Sequence, residues 1–318
     1  MMTWAVYASK VFLGLSPLIC YSASNWLMVW IALEINLICF ISICFDNNSK
    51  STNSMMKYFM VQVVSSLTMA YFMILDSFLM IQPNLFISLS MTMKLGLFPF
   101  FSWLASVSEG MNWISFFIFS SWQKIIPLQI MSSYPWFLSG ILIMSSLVGT
   151  MLLFNSSSLR KLLVYSSLPN MSWMLIFMEE NSSYWEVYLL IYSIILAMIM
   201  NIFFNFKINS LAQINFLPTF LKFTLLGLLL SLGGFPPFLG FGNKLLACSY
   251  IYANNILPLG FLMLSSAISC FLYIRSLTPM ISFSIISMKS NHFSMNKTLY
   301  FNTLNMTGLP MIISLAKI

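Results

Sequence analysis

The sequence predicts an all-α fold: a polytopic transmembrane helix bundle of about eleven spans, forming a single transmembrane domain over residues 1–318. Three observations carry that prediction. Lys and Arg number 14 and Asp and Glu 7, so charged residues make up 7% of a 318-residue chain, against about 25% in a typical soluble domain. Hydrophobic residues reach 59% and the mean hydropathy is +0.89. Apolar runs of about 20 residues recur along most of the chain, with short loops between them and none of the alternation of a membrane β-barrel. A water-soluble surface cannot be built from so few charges. This excludes a cytosolic enzyme, a nucleic-acid-binding domain and a disordered tail.

The spans follow in order. The first run, 3–22, holds Lys10, whose long stem can reach the inner interface. The second, 25–45, carries Glu34 near its middle. The third, 56–76, follows Lys50, has Lys57 at its start and ends at Asp76, an interfacial position. The fourth, 83–107, contains Lys94, Gly96 and Pro99, and Glu109 lies in the loop beyond it. The fifth, 112–132, contains Lys124 and Pro127. The sixth is 136–154. The seventh, 159–178, opens with the anchors Arg160 and Lys161 and includes Tyr165-Ser166-Ser167, hydroxyls for interhelical bonding or a hydrated relay. The eighth is 184–206, with Glu186 solvated at its start. The ninth, 218–241, passes through Gly233-Gly234-Phe235-Pro236-Pro237. The tenth, 255–278, has Arg275 near its end as an anchor, and the eleventh is 298–316.

Loop charges orient the bundle. Lys50, Lys57, Arg160, Lys161, Lys207, Lys289 and Lys297 fall on one side of eleven spans, and Glu179, Glu180 and Lys317 on the other. The positive-inside rule turns the first side inward, placing the N-terminus in the inner compartment and the C-terminus outside. The cations form no basic stripe. Five cysteines in or beside apolar runs, without CxxC spacing, read as small buried hydrophobes, and one histidine, His292, cannot build a His-based metal centre. The N-terminus shows neither an Arg-rich presequence nor a basic n-region. Met occurs 26 times, which fits either mitochondrial codon usage or the filling of gaps by a flexible side chain.

Ionisable groups deep in a span cost several kcal/mol unless paired or hydrated, so each marks a functional candidate. Glu34 has too short a stem to reach an interface; its alternatives are a neutral hydrogen-bonded carboxyl or a partner for a lysine. Lys94 stands five residues before Pro99, which cannot donate to the carbonyl of Leu95. Lys124 stands three residues before Pro127, which frees the carbonyl of Gln123. Lys244 follows two prolines and four glycines over 233–242. Three lysines thus each lie within about ten residues of a proline break inside an apolar run, and broken helices at depth are tolerated where they line a cavity or pack inside protein. Desolvation disfavours the charged form of any such group, so a lysine there can exchange protons with water. The competing reading is a lysine snorkelling from a span end, to which Lys244 lies nearest. No P-loop, GxGxxG, HExxH or nucleophile–histidine set occurs, so the chain alone is expected to hold no nucleotide, redox cofactor or metal.

Several of these segments together resemble one family. Asn25-Trp26-Leu27, Trp30, Leu33-Glu34-Ile35-Asn36, Lys94-Leu95-Gly96-Leu97-Phe98-Pro99-Phe100, Trp122-Gln123-Lys124, Arg160 to Ser167 and Leu232 to Phe238 are similar to the subunit 2 family of NADH–ubiquinone oxidoreductase, the antiporter-like membrane subunits of mitochondrial complex I. The resemblance implies that Glu34 pairs with Lys94, that Lys124 bridges a hydrophilic axis, and that Lys244 serves a second half-channel. It implies an inverted-repeat fold, proton translocation within NADH:ubiquinone reductase, the mitochondrial inner membrane, and neighbouring antiporter-like subunits and lipids such as cardiolipin as partners. NADH, FMN, iron–sulfur clusters and ubiquinone would then sit in other subunits. Many members carry His where this chain has Phe101. An independent cation/proton antiporter and a purely structural membrane subunit are the alternative readings.

Overall fold

The computed structural model describes residues 2–46, 48–79, 84–134, 138–180, 182–250, 256–282 and 305. Among these the chain is helical, with one isolated antiparallel bridge, Ser158 to Ser210. Four helices are long and apolar enough to cross a membrane unbroken: Trp26–Cys44, Ser49–Leu75, Tyr184–Phe206 and Ile256–Thr278. Among the others, Asn84–Leu95 and Thr219–Gly233 are cut short where glycines precede prolines. The eleventh predicted span, together with Lys289, His292, Lys297 and Lys317, lies outside the described residues, and so does the side chain of Asp76. The chain divides into two compact units, Met1–Leu138 and Ser139–Ile318.

The first unit contains α1 (Met2–Ser22), α2 (Trp26–Cys44), α3 (Ser49–Leu79), α4 (Asn84–Leu95), α5 (Ser102–Ser108), α6 (Trp113–Ser120) and α7 (Ile125–Ser133). Pro17 inside α1 removes the donor to the Leu13 carbonyl, and the indole of Trp122 donates to that carbonyl instead, at 2.9 Å. An aromatic core of Phe40, Tyr58, Trp103 and Phe119 joins α2, α3, α5 and α6, with ring centroids 5.0–6.2 Å apart. Lys10 is exposed, with its ammonium 5.5 Å from the Tyr7 ring.

The fourth predicted span is broken as expected. Gly96 takes the left-handed conformation (φ 68°), the Leu97 amide donates to the Thr92 carbonyl, and the Gly96 amide donates to that of Met93. This is a Schellman end, and Pro99 prevents resumption of the helix before α5. A side chain at Gly96 would also strike Leu104, 2.5–2.8 Å away. The fifth span breaks differently. A 3₁₀ turn over Trp122–Lys124 separates α6 from α7, so the interruption precedes Pro127. That proline sits in the first turn of α7, where its missing N–H leaves no helical bond unmade.

The second unit contains α8 (Leu138–Phe154), α9 (Leu159–Glu179), α10 (Tyr184–Phe206), a 3₁₀ segment (Leu211–Phe216), α11 (Thr219–Gly233), α12 (Leu239–Tyr250) and α13 (Ile256–Ser282). Ser158 caps α9, accepting from the Lys161 amide at 3.4 Å. The ninth predicted span ends eight residues early, at Gly233, and residues 239–250, most of them expected in a loop, form α12. The cause is again a Schellman end: Gly234 adopts φ 81°, with bonds from Phe235 to Leu230 and from Gly234 to Ser231. Pro236 and Pro237 then form a turn, closed by a bond from the Phe238 amide to the Phe235 carbonyl, before α12 begins at Leu239. Gly240 lets α12 press on α11, because a Cβ there would overlap the Ser231 carbonyl.

Candidate functional site

The first unit brings Glu34 and Lys94 into one polar seam within an apolar bundle. Glu34 is half-buried on α2, and the Ser66 hydroxyl of α3 donates to its Oε1 at 2.6 Å. Lys94 is 6% exposed on the last turn of α4, and Glu34 is the charge that acts on it. The Lys94 carbonyl, left without a helical donor by the break, accepts from Nε2 of Gln62 at 3.2 Å. The Lys94 backbone is thus held by an amide, while its ammonium lies within the field of the Glu34 carboxylate.

Lys124 is as deeply buried as Lys94, at the end of the 3₁₀ turn. The residue before it, Gln123, faces Asn36 in a reciprocal amide pair: Asn36 donates at 2.9 Å and Gln123 returns a bond at 3.2 Å. Tyr58 adds a third bond, to Gln123 Oε1, at 3.1 Å. This cluster pins the turn carrying Lys124 to α2, two residues from Glu34 along that helix. Tyr58, Gln62 and Ser66 share one face of α3 at four-residue spacing. Sequence reasoning missed that face, although its i, i+4, i+8 polar period inside an apolar run was a readable signal.

In the second unit Lys244 lies in the middle of α12 and is 4% exposed, which excludes snorkelling from a span end. Its Nζ donates to the Gly233 carbonyl, the last of α11, and stands 5.7 Å from the centroid of the Trp173 ring on α9. Gly234 makes this contact possible: a Cβ there would lie 2.6–2.8 Å from Lys244 Cδ, Cε and Nζ. Behind it, Tyr188 donates to Asn170 Oδ1 at 3.0 Å. The hydroxyls of Ser166 and Ser167 donate to carbonyls of their own helix, those of Leu163 and Val164, at 2.7 Å each. A fourth buried lysine, Lys222 on α11, was not singled out from sequence. Among the described residues no group of three or more His, Cys, Asp or Glu converges as a metal site.

Seen together, the seams are proton-exchanging groups in dry surroundings, held by neutral amides, hydroxyls and helix ends. Buried ionisable groups so held suit proton exchange, and among the described residues no nucleophile stands poised against a base. Comparison with known proteins agrees. The family described as "NADH:quinone oxidoreductase/Mrp antiporter, TM" matches residues 23–80 and 71–269. NADH-ubiquinone oxidoreductase chain 2 of Locusta migratoria is 35% identical over 314 residues, covering 92% of this chain and 88% of its own. That of Anopheles gambiae is 33% identical over 331 residues, covering 95% of each. Among solved structures, a chain of respiratory complex I from Thermus thermophilus with bound aureothin superposes with a TM-score of 0.80 at 19% identity, over 96% of this chain and 78% of that one.

Proposed function

The chain belongs to the NADH:quinone oxidoreductase/Mrp antiporter family as an antiporter-like membrane subunit of respiratory complex I, and from that premise we propose that it translocates protons through Glu34, Lys94, Lys124 and Lys244. The observation that carries this is the held carboxylate: Glu34 is fixed by Ser66 and acts on the buried Lys94 beside a helix end. Redox energy released in other subunits alters the Glu34–Lys94 pairing. A change in that pairing changes how strongly Lys94 holds its proton, which then moves to Lys124 and onward to Lys244. Coulomb coupling between partly buried charges reaches a few kcal/mol, enough to move protonation by more than one unit. Moving one charge against the membrane potential costs roughly 2.3 kcal/mol per 100 mV, so the energy must come from outside this chain.

The finer reading follows the family. The chain acts as one transmembrane domain of eleven spans in the mitochondrial inner membrane, with its N-terminus in the matrix and its C-terminus in the intermembrane space. It contacts neighbouring antiporter-like subunits, and cardiolipin gathers at the inward lysines. NADH, FMN, iron–sulfur clusters and ubiquinone are held by other subunits. Glu34→Gln and Lys94→Met in the assembled complex test the relay. Fewer protons per electron pair, with the complex intact, is the expected result. Unchanged turnover and stoichiometry in both would leave the chain a structural subunit. An independent antiporter, the second reading favoured by the family's own description, predicts cation-coupled proton flux from the isolated chain in liposomes.

A further inference from the structure

A cavity of about 390 Å³ in the first unit takes no part in the relay. It opens where α1 ends, α2 begins and α7 ends, so it lies at one end of the spans. Its volume falls in the range of small-ligand sites, roughly 300–1,000 Å³. Tyr21, Trp26 and Tyr134 give it aromatic walls, while Ser24, Asn25 and Gln129 give it polar ones. No lysine, arginine, aspartate or glutamate lines it. A full charge entering the cavity would meet no counter-charge, whereas a zwitterion could satisfy its own.

The details select the zwitterion. The Trp26 and Tyr134 rings stand 5.3 Å apart with planes at 49°, a corner and not a closed stack. Aromatic faces attract cations at such range. Gln129 Oε1 is buried and, among the described residues, accepts no hydrogen bond, so it calls for an N–H donor. A primary ammonium meets both demands, and a trimethylammonium meets only the first. Across the cavity, Asn25 precedes α2 without capping it, leaving its amide and the Ser24 hydroxyl as donors for a phosphate. Tyr and Trp at span ends sit at the depth of lipid head groups.

We propose that this cavity binds the head group of an ethanolamine phospholipid, with its ammonium among Trp26, Tyr134 and Gln129 and its phosphate at Ser24 and Asn25. Photoactivatable phosphatidylethanolamine and phosphatidylcholine analogues, added separately to intact membranes, test this whichever assembly carries the chain. Mass spectrometry then reads labelling of residues 20–30 and 125–134. The expected result is about three- to tenfold more labelling by the ethanolamine analogue, with the preference lost in Gln129→Leu and in Trp26→Leu. Equal labelling of the unaltered protein by both analogues overturns the proposal, and that comparison needs no variant to fold. An undiminished preference in Gln129→Leu overturns it too. Displacement of the label by micromolar soluble phosphoethanolamine assigns the site to a soluble amine and overturns the lipid.

Discussion

Gly234→Ala isolates what the second helix break does for Lys244. The perturbation is one methyl group. At φ 81° an alanine costs roughly 1–2 kcal/mol of backbone energy. The larger effect is steric, because the new Cβ would occupy space 2.6–2.8 Å from three atoms of the Lys244 side chain. The lysine is the flexible partner and must withdraw, giving up its bond to the Gly233 carbonyl. A hydrogen bond from a charged group is worth roughly 1.5–3 kcal/mol, or about tenfold to a hundredfold in any step that depends on it. The backbone cost alone is small against a typical folding stability of about 5–15 kcal/mol, so the complex should still assemble. Reconstituted vesicles driven by NADH would show proton uptake falling by about tenfold or more relative to electron transfer. Adding Gly234→Ala to a Lys244→Met background should cost nothing further, because the glycine acts through the lysine. An assembled Gly234→Ala variant pumping at the unaltered rate would refute the reasoning.

Other changes probe the remaining contacts. Ser66→Ala removes the hydroxyl donated to Glu34 and should reduce pumping roughly tenfold without loss of assembly; proton-to-electron ratios report it. Asn36→Leu and Gln123→Leu should each destabilise the complex by about 1–3 kcal/mol, since each strands a buried amide, and the double variant should cost less than the sum in thermal unfolding. Gly140→Ala, where a Cβ meets open space, should leave pumping and thermal stability unchanged. Glu179 lies one residue beyond the seventh predicted span, and burial together with Glu180 pushes its carboxyl up to about 7. Its neutral form is therefore favoured on folding, so stability falls as pH rises from about 4.5 to about 7; Glu179→Gln should flatten the unfolding temperature over that window.

Local chemistry made the helices and two of their three breaks readable. Gly96 before Pro99, and Gly233-Gly234 before two prolines, announce Schellman ends in the letters themselves. The same rules misled over 239–250. Gly242 and Asn243 read as loop and Gly240 as the end of the ninth span, yet Gly240 is there because α12 presses on the Ser231 carbonyl, a close approach between two helices. The three lysines were visible because charge inside an apolar run is rare. Their partners were not. Gln123 meets Asn36 across 87 residues, Ser66 meets Glu34 across 32, and the Trp122 indole finds the carbonyl freed by Pro17 across 109. Periodicity can offer a polar face, as Tyr58, Gln62 and Ser66 do on α3, but only packing decides what that face meets.

The two Schellman ends share their geometry but hold their lysines differently. At α4 the lysine precedes the glycine, its own carbonyl is taken by Gln62, and the ammonium answers to Glu34. At α11 the lysine arrives from the next helix, and the ammonium answers to the last carbonyl and an indole ring. A carboxylate can gain or lose its charge, and a carbonyl dipole cannot. The field on Lys94 therefore depends on the carboxylate of Glu34 itself, whereas the hold on Lys244 can change only if side chain or helix end moves. Substituting Glu34 by Gln should thus imitate one fixed state of the first seam, with the lysine still in position. In the second seam the equivalent perturbation has to be steric, and Gly234 is the residue whose substitution would supply it.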